Sequence, residues 1–84
     1  MSIEEFKTLQ IGMYITDSKK PKEDLVCSDF YLIQGFRNGG LVLKPLWSDG
    51  KLSEEKTHFW QQYSHIELTH KLHPSEFRST IAIG

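Results

Sequence analysis

The stretch LIQGFRNGGLVLKPLW, residues 32–47, contains two apolar runs separated by Arg37-Asn38-Gly39-Gly40. Asn-Gly is the strongest short-range signal of a two-residue hairpin turn, because both positions tolerate the positive φ angles of a type I′ turn. The sequence therefore predicts two antiparallel β-strands that are joined at Asn38-Gly39.

A two-residue turn fixes which side chains share a face of this hairpin, because Phe36 then pairs with Leu41 and every second residue follows. The face that we predict to be the core is mostly large and apolar, and comprises Phe30, Leu32, Gln34, Phe36, Leu41, Leu43, Pro45 and Trp47. The opposite face is mixed, with Tyr31, Ile33, Gly35, Val42, Lys44 and Leu46.

Further strands are predicted on the C-terminal side of the hairpin. Asp49-Gly50 is a second type I′ signal, and it predicts a third strand from Lys51 to about Trp60. The charges at 54–56 suggest that this is an edge strand. HIELT, residues 65–69, predicts a final short strand with Ile66 and Leu68 directed inward.

On the N-terminal side, Ser2 and Glu5 have the spacing of a helix capping box, so a helical turn is expected over residues 2–8. LQIGMYIT, residues 9–16, alternates apolar and polar residues as a half-buried strand does. Gly12 within it indicates a bulge or a close backbone approach. Residues 17–29 are charged, contain Pro21, and are predicted to form a loop.

The composition is that of one small globular domain. The chain has 84 residues, of which 38% are hydrophobic and 25% charged, and its net charge is -1. A single cysteine excludes an internal disulfide, and no apolar run reaches the roughly 20 residues of a membrane helix. We expect a soluble cytoplasmic protein in which residues 1–8 form the turn, 9–69 the β-domain and 70–84 a C-terminal tail.

Five short strands joined by tight turns predict a mainly β fold, either a small, strongly curved antiparallel sheet or a barrel. The order of the elements, LQIGMYI as an opening strand and YSHIEL before a closing strand resemble the Src-homology-3-like small barrels over residues 9–69. A second resemblance, in LQIGMYI and in LIQGF at residues 32–36, is to the small domain that precedes HD-GYP phosphodiesterases. The catalytic part of those proteins is not in this sequence, so no activity is implied.

No catalytic or metal-binding pattern is evident. The histidines His58, His65, His70 and His73 lie late in the chain without a neighbouring cysteine, so neither a metal nor a cofactor is predicted. Asp24 and Asp29 near Cys27 would raise the pKa of its thiol, which argues against a nucleophile. We therefore expect a protein that is not an enzyme.

The aromatic residues Tyr14, Tyr31, Trp60 and Tyr63 do not all fit one small core, and Tyr and Trp dominate protein interfaces. They predict a non-catalytic binding module, an adaptor, inhibitor or regulator of bacterial or phage origin, which docks on a protein partner or on itself. The alternative is a nucleic-acid-binding barrel that uses the basic residues Lys19, Lys20, Lys22, Arg37 and Lys44.

Overall fold

A computed structural model of the chain describes residues 1–53 and 58–80. The elements of regular structure are α1 (Ile3–Lys7), β1 (Tyr14–Thr16), β2 (Tyr31–Arg37), β3 (Gly40–Pro45), β4 (Phe59–Gln62), β5 (His70–Leu72) and α2 (Pro74–Thr80). The strands form one antiparallel sheet in the order β4-β3-β2-β1-β5. The predicted five-stranded antiparallel sheet is confirmed. Within residues 1–53 and 58–80 it is open, with β4 and β5 at its two edges, so no closed barrel is seen there.

The hairpin that the Asn38-Gly39 signal predicts is present between β2 and β3. Asn38 and Gly39 have φ angles of 48° and 74°, as a type I′ turn requires. The predicted pairs Phe36–Leu41 and Gly35–Val42 follow it.

Beyond these pairs the predicted register is wrong, because a β-bulge interrupts the ladder between Ile33 and Gly35. Ile33 pairs with Leu43, whereas in an unbroken ladder Leu43 would pair with Gln34. One extra residue inverts the side chains of the first half of β2. Tyr31 and Ile33 consequently share the face of Leu41 and Leu43, while the predicted members Phe30 and Leu32 lie on the opposite face.

The sheet carries a small hydrophobic core on each face. Successive residues of β1 show the division, because Tyr14 packs against one cluster and Ile15 belongs to the other. The first cluster, here called core 1, comprises Leu25, Cys27, Phe30, Leu46, Leu72 and Phe77. The second, core 2, comprises Leu9, Ile15, Ile33, Leu41, Leu43 and Ile66.

The N-terminal helix has the predicted cap. Ser2 Oγ accepts a hydrogen bond from Glu5 N at 3.1 Å, and Ser2 N donates to Glu5 Oε1 at 3.0 Å. Phe6, on the inner side of this short helix, packs against core 2 together with Met1. The Met1 nitrogen also donates to the backbone carbonyls of Tyr63 and Ile66.

The first strand is shorter than predicted, because a turn replaces its N-terminal half. Met13 N donates to Gln10 O at 3.1 Å, and Gly12 within this turn has a φ angle of 96°. Leu9 is buried, but Ile11 is 65% exposed instead of pointing inward. Glycine at position 12 is the residue that permits the turn.

The Asp49-Gly50 turn also differs from its prediction. Only Gly50 has a positive φ angle, and Gly50 N donates to Trp47 O while Trp47 N donates to Lys51 O. This is a type I turn closed by a glycine bulge, not a type I′ turn. Leu46 and Leu52, on either side of this turn, form a single β-bridge. The strand that was predicted to follow the turn is β4, which pairs with β3. The predicted charged edge at Glu54, Glu55 and Lys56 lies outside the described residues.

Segment 65–80 differs most from the expectation. Residues 66–69 are not a strand, although Ile66 is buried and Leu68 packs against core 2 as predicted. The fifth strand lies at His70–Leu72 and is followed by α2, whose Phe77 is buried in core 1. The part of the expected tail that the structure describes thus contributes a strand and a helix to the fold. Residues 81–84 of that tail lie outside the described residues.

Candidate functional site

The strand β4 is an edge of the sheet and has no charged residue. Its sequence is Phe-Trp-Gln-Gln, and it pairs with β3 on one side. The Phe59 and Trp60 side chains are 40% and 45% exposed. Natural proteins usually protect such edges with lysine, proline or a bulge. The opposite edge strand, β5, does contain a lysine, Lys71.

Two backbone contacts establish which groups of β4 face away from β3. Tyr63 N donates to Gly39 O at 3.2 Å. Gln61 O lies so close to Gly40 that a Cβ atom built on this glycine would be 2.6 Å from that oxygen. Residues 61 and 63 therefore direct their polar backbone groups toward β3. Because these directions alternate along an antiparallel strand, the N–H and C=O groups of Trp60 and Gln62 face away from β3. They point to the edge on which no strand of residues 1–53 or 58–80 pairs with β4, here called the open edge.

Trp60 is held in a defined position on this edge. Its indole Nε1 donates a hydrogen bond of 2.6 Å to the backbone carbonyl of Arg37. The ring lies over Gly40 on the face of the sheet opposite to core 2, since Trp60 pairs with Val42. One face of the indole is thus fixed by the hairpin while much of the ring stays accessible.

A cleft of about 250 Å³ opens beside β4 on the core 2 face of the sheet. The buried side chains of Ile15, Leu43 and Ile66 line it. Tyr31 and Phe59 also line it, with their rings edge-to-face at a centroid distance of 5.6 Å. This part of the lining is therefore apolar and partly aromatic, which is typical of a place that holds an apolar group.

Polar side chains lie among the lining of the same cleft. The polar residues of the lining are Thr16, which ends β1, and Asp17 after it, together with Gln61 in β4 and His65 in the 3₁₀ turn Tyr63–His65. The lining is thus mixed, and in a recognition site of this kind the apolar part supplies affinity while the polar part supplies selectivity.

The four aromatic residues predicted to bind a partner have different surroundings. Trp60 lies on the open edge and Tyr31 lines the cleft. Tyr63 stacks on Phe6 at a centroid distance of 4.8 Å, and Tyr14 stacks on Phe77 at 4.0 Å against core 1. Tyr14 and Tyr31 are on opposite faces of the sheet, so the four residues do not form a single cluster. Their role in binding stays a prediction.

The basic residues of the alternative hypothesis are spread along the sheet. Lys19, Lys20 and Lys22 belong to the loop before β2, and Lys20 forms an ion pair with Asp29 at 3.2 Å. Arg37 ends β2, six residues or roughly 20 Å from Tyr31 at the start of that strand. Lys44 in β3 pairs with Leu32, near the start of β2. The loop cations and Arg37 therefore do not converge, and nucleic-acid binding stays an untested hypothesis.

Other chemistry has little support in the described residues. Cys27 is buried, and burial raises the pKa of its thiol. In the described ranges, no group of three or more His, Cys, Asp or Glu side chains is placed to hold a metal ion. No helix in that part of the chain is long and apolar enough to cross a membrane.

Comparison with protein-family models, with curated proteins and with solved structures found no match to this chain. The resemblance to Src-homology-3-like barrels thus stays a prediction from the sequence.

Sequence reasoning missed Phe59, Gln61 and Gln62 as members of the site. The available signal was the run of uncharged residues at 59–64 that follows the charged segment 54–56. The sequence analysis predicted the edge position of this strand from the charges at 54–56, and β4 lies at an edge of the sheet. It did not predict which residues of the strand line the cleft.

Proposed function

We propose that this protein is a non-catalytic docking module, a small adaptor, inhibitor or regulator that binds a protein partner through β4. The observation that carries the proposal is the uncharged edge strand, on which Phe59 and Trp60 are exposed on opposite faces of the sheet.

The edge strand supports the proposal because an unprotected edge is a liability for a monomeric protein. Unpaired N–H and C=O groups bind other strands, so a charge or a proline is the ordinary protection. One residue in four of this chain is charged, yet β4 contains no charge. A binding role gives a reason for the absence of charge in β4.

The aromatic side chains support the same role. Tryptophan and tyrosine contribute strongly to interface energetics because they bury a large area with little loss of side-chain freedom. The Trp60 indole is already held by its hydrogen bond to Arg37 O. A partner that covers Trp60 therefore pays little entropy to order it.

Site-specific photo-crosslinking in the cells that produce this protein tests the proposal. A benzoylphenylalanine at position 62, on the edge, is compared with the same residue at position 23, which is exposed in the 3₁₀ turn Lys22–Asp24. We expect a discrete adduct with a defined protein from position 62 only. Adducts of equal yield and identity from both positions, or none from position 62, would refute the docking role.

A further inference from the structure

We infer that the partner contributes an extended segment that pairs with β4 as a sixth strand and inserts one large apolar side chain into the neighbouring cleft. This inference rests on the proposed docking function and specifies the chemistry of the partner.

The open edge supplies the hydrogen bonds for such a strand. The N–H and C=O groups of Trp60 and Gln62 face away from β3, as the contacts of Tyr63 N and Gln61 O establish. Two donors and two acceptors at this spacing match the backbone of an added strand, a mode of recognition in which main-chain bonds give affinity.

The cleft supplies the selectivity, because it adjoins the same edge. Phe59 and Gln61, the two β4 residues whose side chains lie on the core 2 face, are both part of its lining. A strand added about 4.8 Å beyond β4 would place alternate side chains on this face, next to the cleft. Edge and cleft are therefore one continuous site.

The size of the cleft indicates a side chain as its occupant. Its volume of about 250 Å³ is below the ~300–1,000 Å³ of pockets that enclose drug-sized molecules. Its buried lining of Ile15, Leu43 and Ile66 favours an aromatic or branched aliphatic group. Asp17 is the carboxylate of the lining and β4 has no charge, so the partner segment is expected to lack acidic residues beside its apolar anchor.

A second copy of this chain is a poorer occupant than another protein. If two β4 strands paired, each copy would place Phe59 and Gln61 on the core 2 face of the shared sheet. Those two side chains already line the cleft of their own copy. Self-pairing would leave both clefts without an inserted side chain.

Gln62 allows a test that removes one edge hydrogen bond and leaves the fold unchanged. Its φ angle is -64° and its ψ angle is 134°, which are values that proline adopts. Gln62→Pro therefore deletes an outward N–H without strain. Gln62→Ala is the matched control, because it removes the same side chain and keeps the N–H.

The probe is a library of random nine-residue peptides displayed on phage and selected against the full chain. We expect enriched peptides with apolar residues at alternate positions and at least one Phe, Tyr, Trp, Leu or Ile. One enriched peptide, made synthetically, should bind the wild type and Gln62→Ala equally, and bind Gln62→Pro at least about tenfold more weakly. Replacing its anchor by alanine should weaken binding similarly, and NMR should show contacts from the anchor to the methyl groups of Ile15, Leu43 and Ile66.

The outcomes separate this inference from the docking function. Three results would refute strand addition: equal binding of the wild type and Gln62→Pro, enriched peptides without the alternating pattern, or no enrichment at all. The crosslink at position 62 tests the docking function independently of these results. If the wild type is a dimer and Gln62→Pro is a monomer, the strand that pairs with β4 belongs to a second copy of this chain, and the inference of another protein's segment is wrong. Thermal unfolding of both variants confirms that they are folded.

Discussion

The indole ring of Trp60 occupies the space that a side chain at Gly40 would need. A Cβ atom built on Gly40 would lie less than 3.0 Å from two atoms of the indole. The hydrogen bond from Trp60 Nε1 to Arg37 O holds the ring there. The missing side chain at position 40 is thus what lets an edge tryptophan lie against the hairpin.

Gly40→Ala should destabilise the protein by about 1–3 kcal/mol, because the new methyl group meets both the indole and the backbone oxygen of Gln61. Urea unfolding followed by circular dichroism measures the change. Gly35→Ala is the control, since its nearest neighbour would be a Val42 atom at 3.9 Å, and it should change stability by less than ~1 kcal/mol. Similar losses for the two variants would contradict the close approach of Trp60.

Phe77→Ala should cost about 3–5 kcal/mol, because it removes a buried ring that stacks on Tyr14 and contacts the edge of Phe30. Arg78→Ala, at the exposed neighbour on the same helix, should change stability by less than ~0.5 kcal/mol. Chemical unfolding of both variants provides the measurement. A Phe77→Ala protein as stable as Arg78→Ala would mean that α2 is not part of core 1.

Acidification should weaken the cap of α1. The hydrogen bond donated by the Ser2 backbone N–H, and next the Ser2 side chain, hold the pKa of Glu5 below its ordinary value. A carboxyl group whose pKa is lower in the folded than in the unfolded state stabilises the fold above its unfolded pKa. That contribution is lost as the pH falls through the folded pKa.

Carboxyl-carbon NMR titration of Glu5 measures this shift directly. In Ser2→Ala the pKa should move back toward the ordinary glutamate value, because the side-chain bond is lost. Glu5→Gln retains an oxygen that can accept from Ser2 N, so its α1 should no longer respond to pH in this range. A wild-type Glu5 that titrates at or above the ordinary value would contradict the capping box.

Cys27 should react slowly with thiol reagents in the folded protein. The side chain is 0% exposed, and burial raises the pKa of its thiol, so the reactive thiolate is both scarce and inaccessible. At pH 8 we expect Ellman's reagent to label the native protein at least about tenfold more slowly than the urea-unfolded chain. The same pKa shift lowers stability at alkaline pH, because the unfolded chain loses the thiol proton first. Equal labelling rates would place Cys27 outside core 1.

The parts of the fold that local chemistry determines could be predicted from the sequence. Asn38-Gly39 requires positive φ angles, and the capping box needs only Ser2 and Glu5, so the hairpin turn and α1 are found where they were expected. The bulge before Gly35 could not be placed, because it depends on which side chains the two cores accept. Gly35 itself was the available signal, since an isolated glycine within a strand often accompanies a bulge.

The candidate site was less predictable than the fold. Trp60 and Tyr31 were singled out for their size and amphipathic character, and the structure places them on the edge and in the cleft. Tyr14 and Tyr63 have the same chemistry but contact Phe77 and Phe6. Residue type alone cannot distinguish these cases. The contact of Tyr14 depends on α2, which the sequence patterns did not reveal, and that of Tyr63 depends on where the predicted α1 packs.

The bulge between Ile33 and Gly35 also determines where this chain can change in length. Deleting Gln34 would restore an even ladder and keep Tyr31 and Ile33 on their present face, because Ile33 would still pair with Leu43 and Tyr31 with Pro45. Deleting Leu32 would instead turn Tyr31 to the opposite face of the sheet.

A deletion in the exposed part of the loop, residues 19–24, would be absorbed locally, because the buried Leu25 and Cys27 lie outside it. Homologous sequences, once aligned, should therefore show gaps in that part of the loop or at position 34, and a constant number of residues from Tyr31 to Ile33 and from Gly35 to Leu43.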